Sequence, residues 1–158
     1  MGKLGLKIAK LFGTTLDTFS NQIDAEKELY EFRDLRLNKL NDLARLSATF
    51  DADGSPESLK EIEKWYFELW ENNEFGQIGV DRKEFEECFA MYFGRVFVEN
   101  NVDWHWIVSE FAFQRGKYEL GISNVSVSIM LSRFTDHFDV PNNKRRQSIW
   151  RKYRKYCD

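Results

Sequence analysis

Few side chains in this sequence of 158 residues have the types and spacing that chemistry needs. Only two histidines occur, His105 and His137, and neither lies in an HExxH, an HxxxH or a Cys/His ligand spacing. His137, between Asp136 and Phe138, reads as a helix-end residue in a favourable dipole position. Two cysteines, Cys88 and Cys157, are too few for a disulfide framework and suit a reducing compartment. Cys88 falls among Phe85, Phe89 and Tyr92 in an apolar helical run, where burial keeps a thiol protonated and inert. Phosphate loops, GxGxxG fingerprints and GxSxG elbows are missing. Glu61/Glu63 and Glu86/Glu87 read as solvated helix faces rather than acid/base couples. The stretch Asp51-Ala-Asp53-Gly-Ser55-Pro-Glu57 starts like a calcium loop, but Pro56 stands where that loop needs Gly and Ile62 where it needs a bidentate carboxylate. It reads as a turn leading to a helix cap. The expectation is a protein without catalytic residues, cofactor or metal.

Charge is distributed more tellingly than its total of −3 suggests. Residues 144–155 hold Lys144, Arg145, Arg146, Arg151, Lys152, Arg154 and Lys155 with no acid. Sixteen of the 23 bases and 25 of the 26 acids precede that stretch, a balance near −9. Lys144, Arg145 and Arg146 are read into the first turn of a C-terminal helix, where the dipole opposes them, so they are candidate anion ligands. The anion could be an acidic face of the fold, with Asp136 and Asp139 nearest in sequence, a partner's acidic patch, or phosphate in nucleic acid or lipid. Trp150, Tyr153 and Tyr156 interleave with these bases; they could stack on single-stranded nucleic acid, but their helical spacing suits core docking better.

The elements that must position these groups follow from periodicity. Residues 2–12 alternate Leu4, Ile8, Leu11 and Phe12 with Lys3, Lys7 and Lys10, an amphipathic helix weakened by Gly2 and Gly5, which could dock, fray or lie on a membrane surface. Asp24 is the expected cap of a helix reaching about Thr49. Ser55 and Pro56 open a helix to about Asn72, with Trp65 and Trp70 broadening the apolar face of Leu59, Ile62, Tyr66 and Leu69. Asp81-Arg-Lys-Glu84 is a capping box, stapled by Val80 and Phe85, for a helix ending near Asn100-Asn101. From Asp103 the period drops to two; Trp104 and Trp106 lead into a hairpin turning at Gln114–Lys117 and returning through Tyr118, Leu120 and Ile122. A helix is expected over 124–138, capped by Ser123, and a last one to Tyr156. The 25 aromatics supply a large core for one domain of 158 residues. The fold class is therefore α+β, a helix-rich single domain over 1–158. A short antiparallel sheet at about 104–122 packs on helices 56–72 and 82–99; residues 1–20 are loosely docked and 142–157 form a basic helix. No stretch is long and apolar enough to span a membrane, and a cytoplasmic location is expected.

Asp53-Gly-Ser-Pro-Glu-Ser-Leu-Lys-Glu-Ile-Glu-Lys-Trp65 and Ala90-Met-Tyr-Phe-Gly94-Arg-Val-Phe, followed by Trp104, resemble a loose group of small bacterial α+β proteins over about residues 40–138. Many of that group are uncharacterised and some resemble immunity proteins that neutralise a cognate toxin. Arg95 departs from the acidic residue usual after the glycine. The resemblance implies a non-enzymatic protein-binding module, and no catalytic residue carries over. Its candidate anchors are Trp104, Trp106, Asp51, Asp53 and Glu57. The two tryptophans are either core or an exposed aromatic patch. The alternative is a nucleic-acid-associated regulator working through the basic C-terminal helix.

Overall fold

The computed structural model describes residues 2–138 and 146–157. The elements run α1 Lys3–Gly13, α2 Gln22–Ala44, α3 Ser58–Glu71, a 3-10 turn Phe75–Ile78, α4 Arg82–Asn100, β1 His105–Glu110, β2 Tyr118–Ser123, β3 Ser128–Met130, a 3-10 helix Leu131–Phe138, and α5 Ser148–Cys157. The strands form one antiparallel sheet in the order β1-β2-β3. This is the expected α+β single domain.

α4 is the axis of the molecule. Asp81 caps it by accepting from the Glu84 amide at 2.7 Å, as the capping box requires. From Phe85 to Phe97 nearly every side chain is buried, because α2, α3, the sheet and α5 all pack around it. Its contacts are largely ring on ring: Phe93 on Phe97 at 4.9 Å, Phe97 on Trp104 at 4.8 Å and on Tyr153 at 4.9 Å. Edge-on pairs at these separations match the ring quadrupoles. At Gly94 the helix meets the sheet so closely that a Cβ would lie 2.6 Å from the Trp106 ring and 2.9 Å from Leu131. That approach is the physical reason for glycine in the middle of a helix.

Several elements differ from the sequence expectation. Asn21, not Asp24, caps α2, its side chain accepting from the Asp24 amide at 2.9 Å. The helix stops at Ala44, and the Ser47 hydroxyl accepts from Thr49 and Phe50 amides beyond it. The helix expected over 124–138 is a turn, β3 and a 3-10 helix. There the Asn124 side chain accepts from the Ser126 and Val127 amides, a local bond that turns the chain back into a strand instead of opening a helix. Ile122 is a buried β2 residue, as the return strand of the hairpin requires. α3 packs chiefly on α4 and α5, while α2 joins α4 against the sheet. Trp65 is buried as expected, but Trp70 is 44% exposed.

Candidate functional site

The loop 51–57 is built on the last turns of α4. Gly54 takes a φ of 79°, open to glycine, and a Cβ there would meet the Glu99 carboxylate at 2.6 Å. Its amide donates to the Tyr92 hydroxyl at 2.9 Å and its carbonyl accepts from Asn100 Nδ2 at 2.8 Å. The Ser58 hydroxyl lies 2.6 Å from both the Ser55 carbonyl and the Tyr92 hydroxyl. One proton assignment satisfies all of these: Ser58 donates to Ser55, Tyr92 donates to Ser58, and the phenol oxygen accepts from Gly54. Burial pushes the Tyr92 pKa up, opposed by those two hydrogen bonds. Ser55 also accepts from the Ser58 amide at 3.2 Å, but in the turn before the helix: α3 starts at Ser58 with Glu57, not Ser55, at its N-cap.

With its backbone held from below, the loop turns carboxylates outward. Asp51, Asp53 and Glu57 are all exposed. Asp53 accepts from the Ser55 amide at 2.9 Å, and the Ser55 hydroxyl and amide hold its carboxyl below the usual aspartate range, with Arg95 contributing less. Glu61 accepts from the Asp51 amide at 3.3 Å. Arg95, the departure from the acidic pattern, pairs with Glu99 at 2.8 Å and lies over the Tyr92 ring. The structure therefore brings Asp51, Asp53 and Glu57 together on one braced loop.

The tryptophans lie elsewhere. Trp104 precedes β1 and is 4% exposed, packed between Phe97 and Tyr156. It belongs to the core, which corrects its assignment as a partner anchor. Trp106 is half-buried: its ring covers Gly94 and takes the Arg33 guanidinium at 5.0 Å, with Tyr30 on that cation's other contact at 4.6 Å. His105 is exposed on β1. Cys88 is buried, and desolvation pushes its thiol up to about 12, a thiol rather than a nucleophile at neutral pH. Among the described residues no cluster of histidine, cysteine and carboxylate could hold a metal ion.

The basic C-terminal helix is also placed differently from expectation. α5 begins at Ser148, so Arg146, which is exposed, precedes its first turn; Lys144 and Arg145 lie outside the described residues. Asp139 lies outside them too. The anion that meets the start of α5 is Glu63 of α3, which accepts from the Ser148 hydroxyl at 2.7 Å and the Ile149 amide at 3.4 Å. It is 3% exposed, correcting its reading as a solvated acid, and burial raises its pKa against the pull of those donors. Glu86 is buried likewise, accepting from the Tyr66 hydroxyl at 3.1 Å and from Arg82 at 2.8 Å. A hint was available: Glu63 stands four residues after Leu59 and three before Tyr66, flanking the apolar stripe. Tyr153 is core, donating no stacking surface, while Trp150 lies against Lys60 at 4.0 Å and Arg154 at 5.3 Å.

Comparison with known proteins gives one family and one curated relative. The relative, "Uncharacterized protein YwmA" of Bacillus subtilis (strain 168), is 26% identical over 115 residues, 71% of each chain. No solved structure matches. The family model described as "Uncharacterised protein YwmA" matches residues 18–157, nearly the whole folded body from the Thr18 bridge to the end of α5, and the chain belongs to the YwmA family.

Proposed function

We propose that this protein works by surface contact, as a non-enzymatic module that binds a basic protein partner through the loop 51–57. One observation carries the reading. The Gly54 amide and the Ser55 carbonyl of that loop are tied into the buried Tyr92–Ser58 network while Asp51, Asp53 and Glu57 face outward. A braced loop loses little conformational entropy on binding, and its exposed charges steer a basic partner and fix its register. The most concrete form is an immunity-type protein that covers the basic working surface of a toxin. The nucleic-acid reading has weaker support, because Tyr153, the central ring of α5, is buried against Phe97.

Co-expression with the product of the adjacent reading frame tests the proposal. The expected result is co-purification and relief of that product's toxicity, both lost when Asp51, Asp53 and Glu57 are changed together to Lys. Absence of both co-purification and relief would overturn the immunity form. Undiminished binding by the charge-reversed variant would overturn the loop as the interface.

A further inference from the structure

We propose that α1 is an interfacial anchor that lays its outer face on an anionic lipid bilayer. The helix has three sectors. Gly5, Ala9, Phe12 and Gly13 turn toward the body: Gly5, Ala9 and Phe12 are half-buried and Gly13 is buried. A Cβ on Gly13 would meet Gln114 at 2.7 Å and the Phe111 ring at 3.0 Å. Phe12 meets Phe111 edge-on at 5.6 Å, and the Arg133 guanidinium lies 4.7 Å from the Phe12 ring. Small residues and one aromatic therefore attach the helix, with Leu6 partly covered at 38% exposure, while Leu4, Ile8 and Leu11 stand farther out. Leu4, Ile8 and Leu11 form the second sector, 73%, 58% and 60% exposed. Lys3, Lys7 and Lys10 form the third, alongside it, and residues 2–16 contain no acid.

An apolar face bordered by lysines is the composition of a helix that lies in the plane of a lipid headgroup layer. Charge selects the occupant. A second copy seated on this face would bring two sets of three lysines together, whereas an anionic leaflet neutralises them. The aromatic path continues from Phe12 through Phe111 to Phe113, which is 40% exposed at the β1–β2 turn near the exposed Arg115. The hairpin tip thus offers a second apolar and basic contact beside the helix. α1 lies before the residues matched by the family model. No described helix is long and apolar enough to cross a membrane; three aliphatic side chains and three lysines make a reversible contact that needs both components.

Flotation of the full chain with phosphatidylcholine vesicles, with and without about one-third phosphatidylserine, tests this. The expected result is binding to the anionic vesicles alone, weakened roughly fivefold for each of Lys3→Gln, Lys7→Gln and Lys10→Gln, and abolished by Ile8→Asp. Leu35→Asp, a change at an equally exposed leucine of α2, leaves binding intact. The three lysine variants keep the test decisive if Ile8→Asp alters folding. Absence of binding, equal binding to neutral vesicles, or binding indifferent to the lysine series would overturn the proposal. So would a dimer in sedimentation velocity that Ile8→Asp dissolves, which would assign the face to a second copy.

Discussion

Tyr92→Phe removes a single oxygen from the interior and tests the brace beneath the acidic loop. The ring keeps its packing, so the loss is confined to hydrogen bonds. The phenol oxygen accepts from the Gly54 amide at 2.9 Å and shares a proton with Ser58 at 2.6 Å, all three residues being buried. Stranding a buried amide costs about 1–3 kcal/mol and losing the Ser58 bond about 1 kcal/mol more. Relaxation of the loop or entry of a water recovers part of this, leaving a destabilisation of about 2–3 kcal/mol. For a chain of this length each kcal/mol moves the melting temperature by about 2–4 °C, so a fall of roughly 5–10 °C is expected. Urea unfolding followed by tryptophan fluorescence should show a lower midpoint with an unchanged slope. Amide exchange at Gly54 should accelerate. Combined with Ser58→Ala, the loss should be smaller than the sum of the single losses by about 1 kcal/mol, because each change breaks the same bond. A Tyr92→Phe variant within about 0.5 kcal/mol of the parent, with slow exchange retained at Gly54, would refute the network and remove the rigidity on which the partner-binding proposal rests.

Two further outcomes follow from the buried polar and close-packed positions. Glu63 has a folded-state pKa raised chiefly by burial, so its contribution to stability is fully present below the ordinary glutamate value of about 4.3 and is lost as pH rises through the folded value. Glu63→Gln keeps an acceptor for Ser148 without the charge; melting temperatures of the two proteins across pH 4 to 8 should therefore show the parent declining relative to the variant as pH rises, and parallel profiles would refute it. Gly94→Ala places a methyl 2.6 Å from the Trp106 ring; overpacking of about 1–3 kcal/mol outweighs a helix-propensity gain of about 1 kcal/mol, so a lower denaturant midpoint is expected and a higher one would show that the sheet moves away freely.

The parts of this fold written in local chemistry were readable from the sequence. Asp81 and Glu84 announce the start of α4 because capping is a bond between neighbours. The hairpin turn is marked by Gly116, whose φ of 81° few other residues adopt. Turn chemistry likewise put Asp51, Asp53 and Glu57 outside. What the sequence concealed depends on distant partners or on local bonds that permit two readings. Asn124 folds its own side chain back onto the next amides, yet reads equally as the start of a helix. Period-two parity placed Trp104 with Trp106 on one strand face, but the strand begins at His105 and Trp104 turns instead against Phe97 and Tyr156. The support of the acidic loop comes from Tyr92, 38 residues from Gly54, and no spacing rule reports such a contact.

The buried acids tie the elements of the fold together. Glu63, Glu86 and Glu119 are all at most 5% exposed, and each ties one element to another. Glu63 joins α3 to α5, Glu86 joins Tyr66 of α3 to Arg82 of α4, and Glu119 of β2 accepts from Ser132 at 2.9 Å beside Arg133 at 3.5 Å. A carboxylate committed to donors in this way is held for structure, since removing its partner would leave a costly unpaired charge. Arg133 extends the last of these ties outward: anchored by Glu119, it lies over Phe12 and Phe111. The acid buried in the sheet thus holds the cation that lies over the Phe12 ring of α1. The interior titratable groups act at the surface indirectly, by fixing which faces the molecule presents.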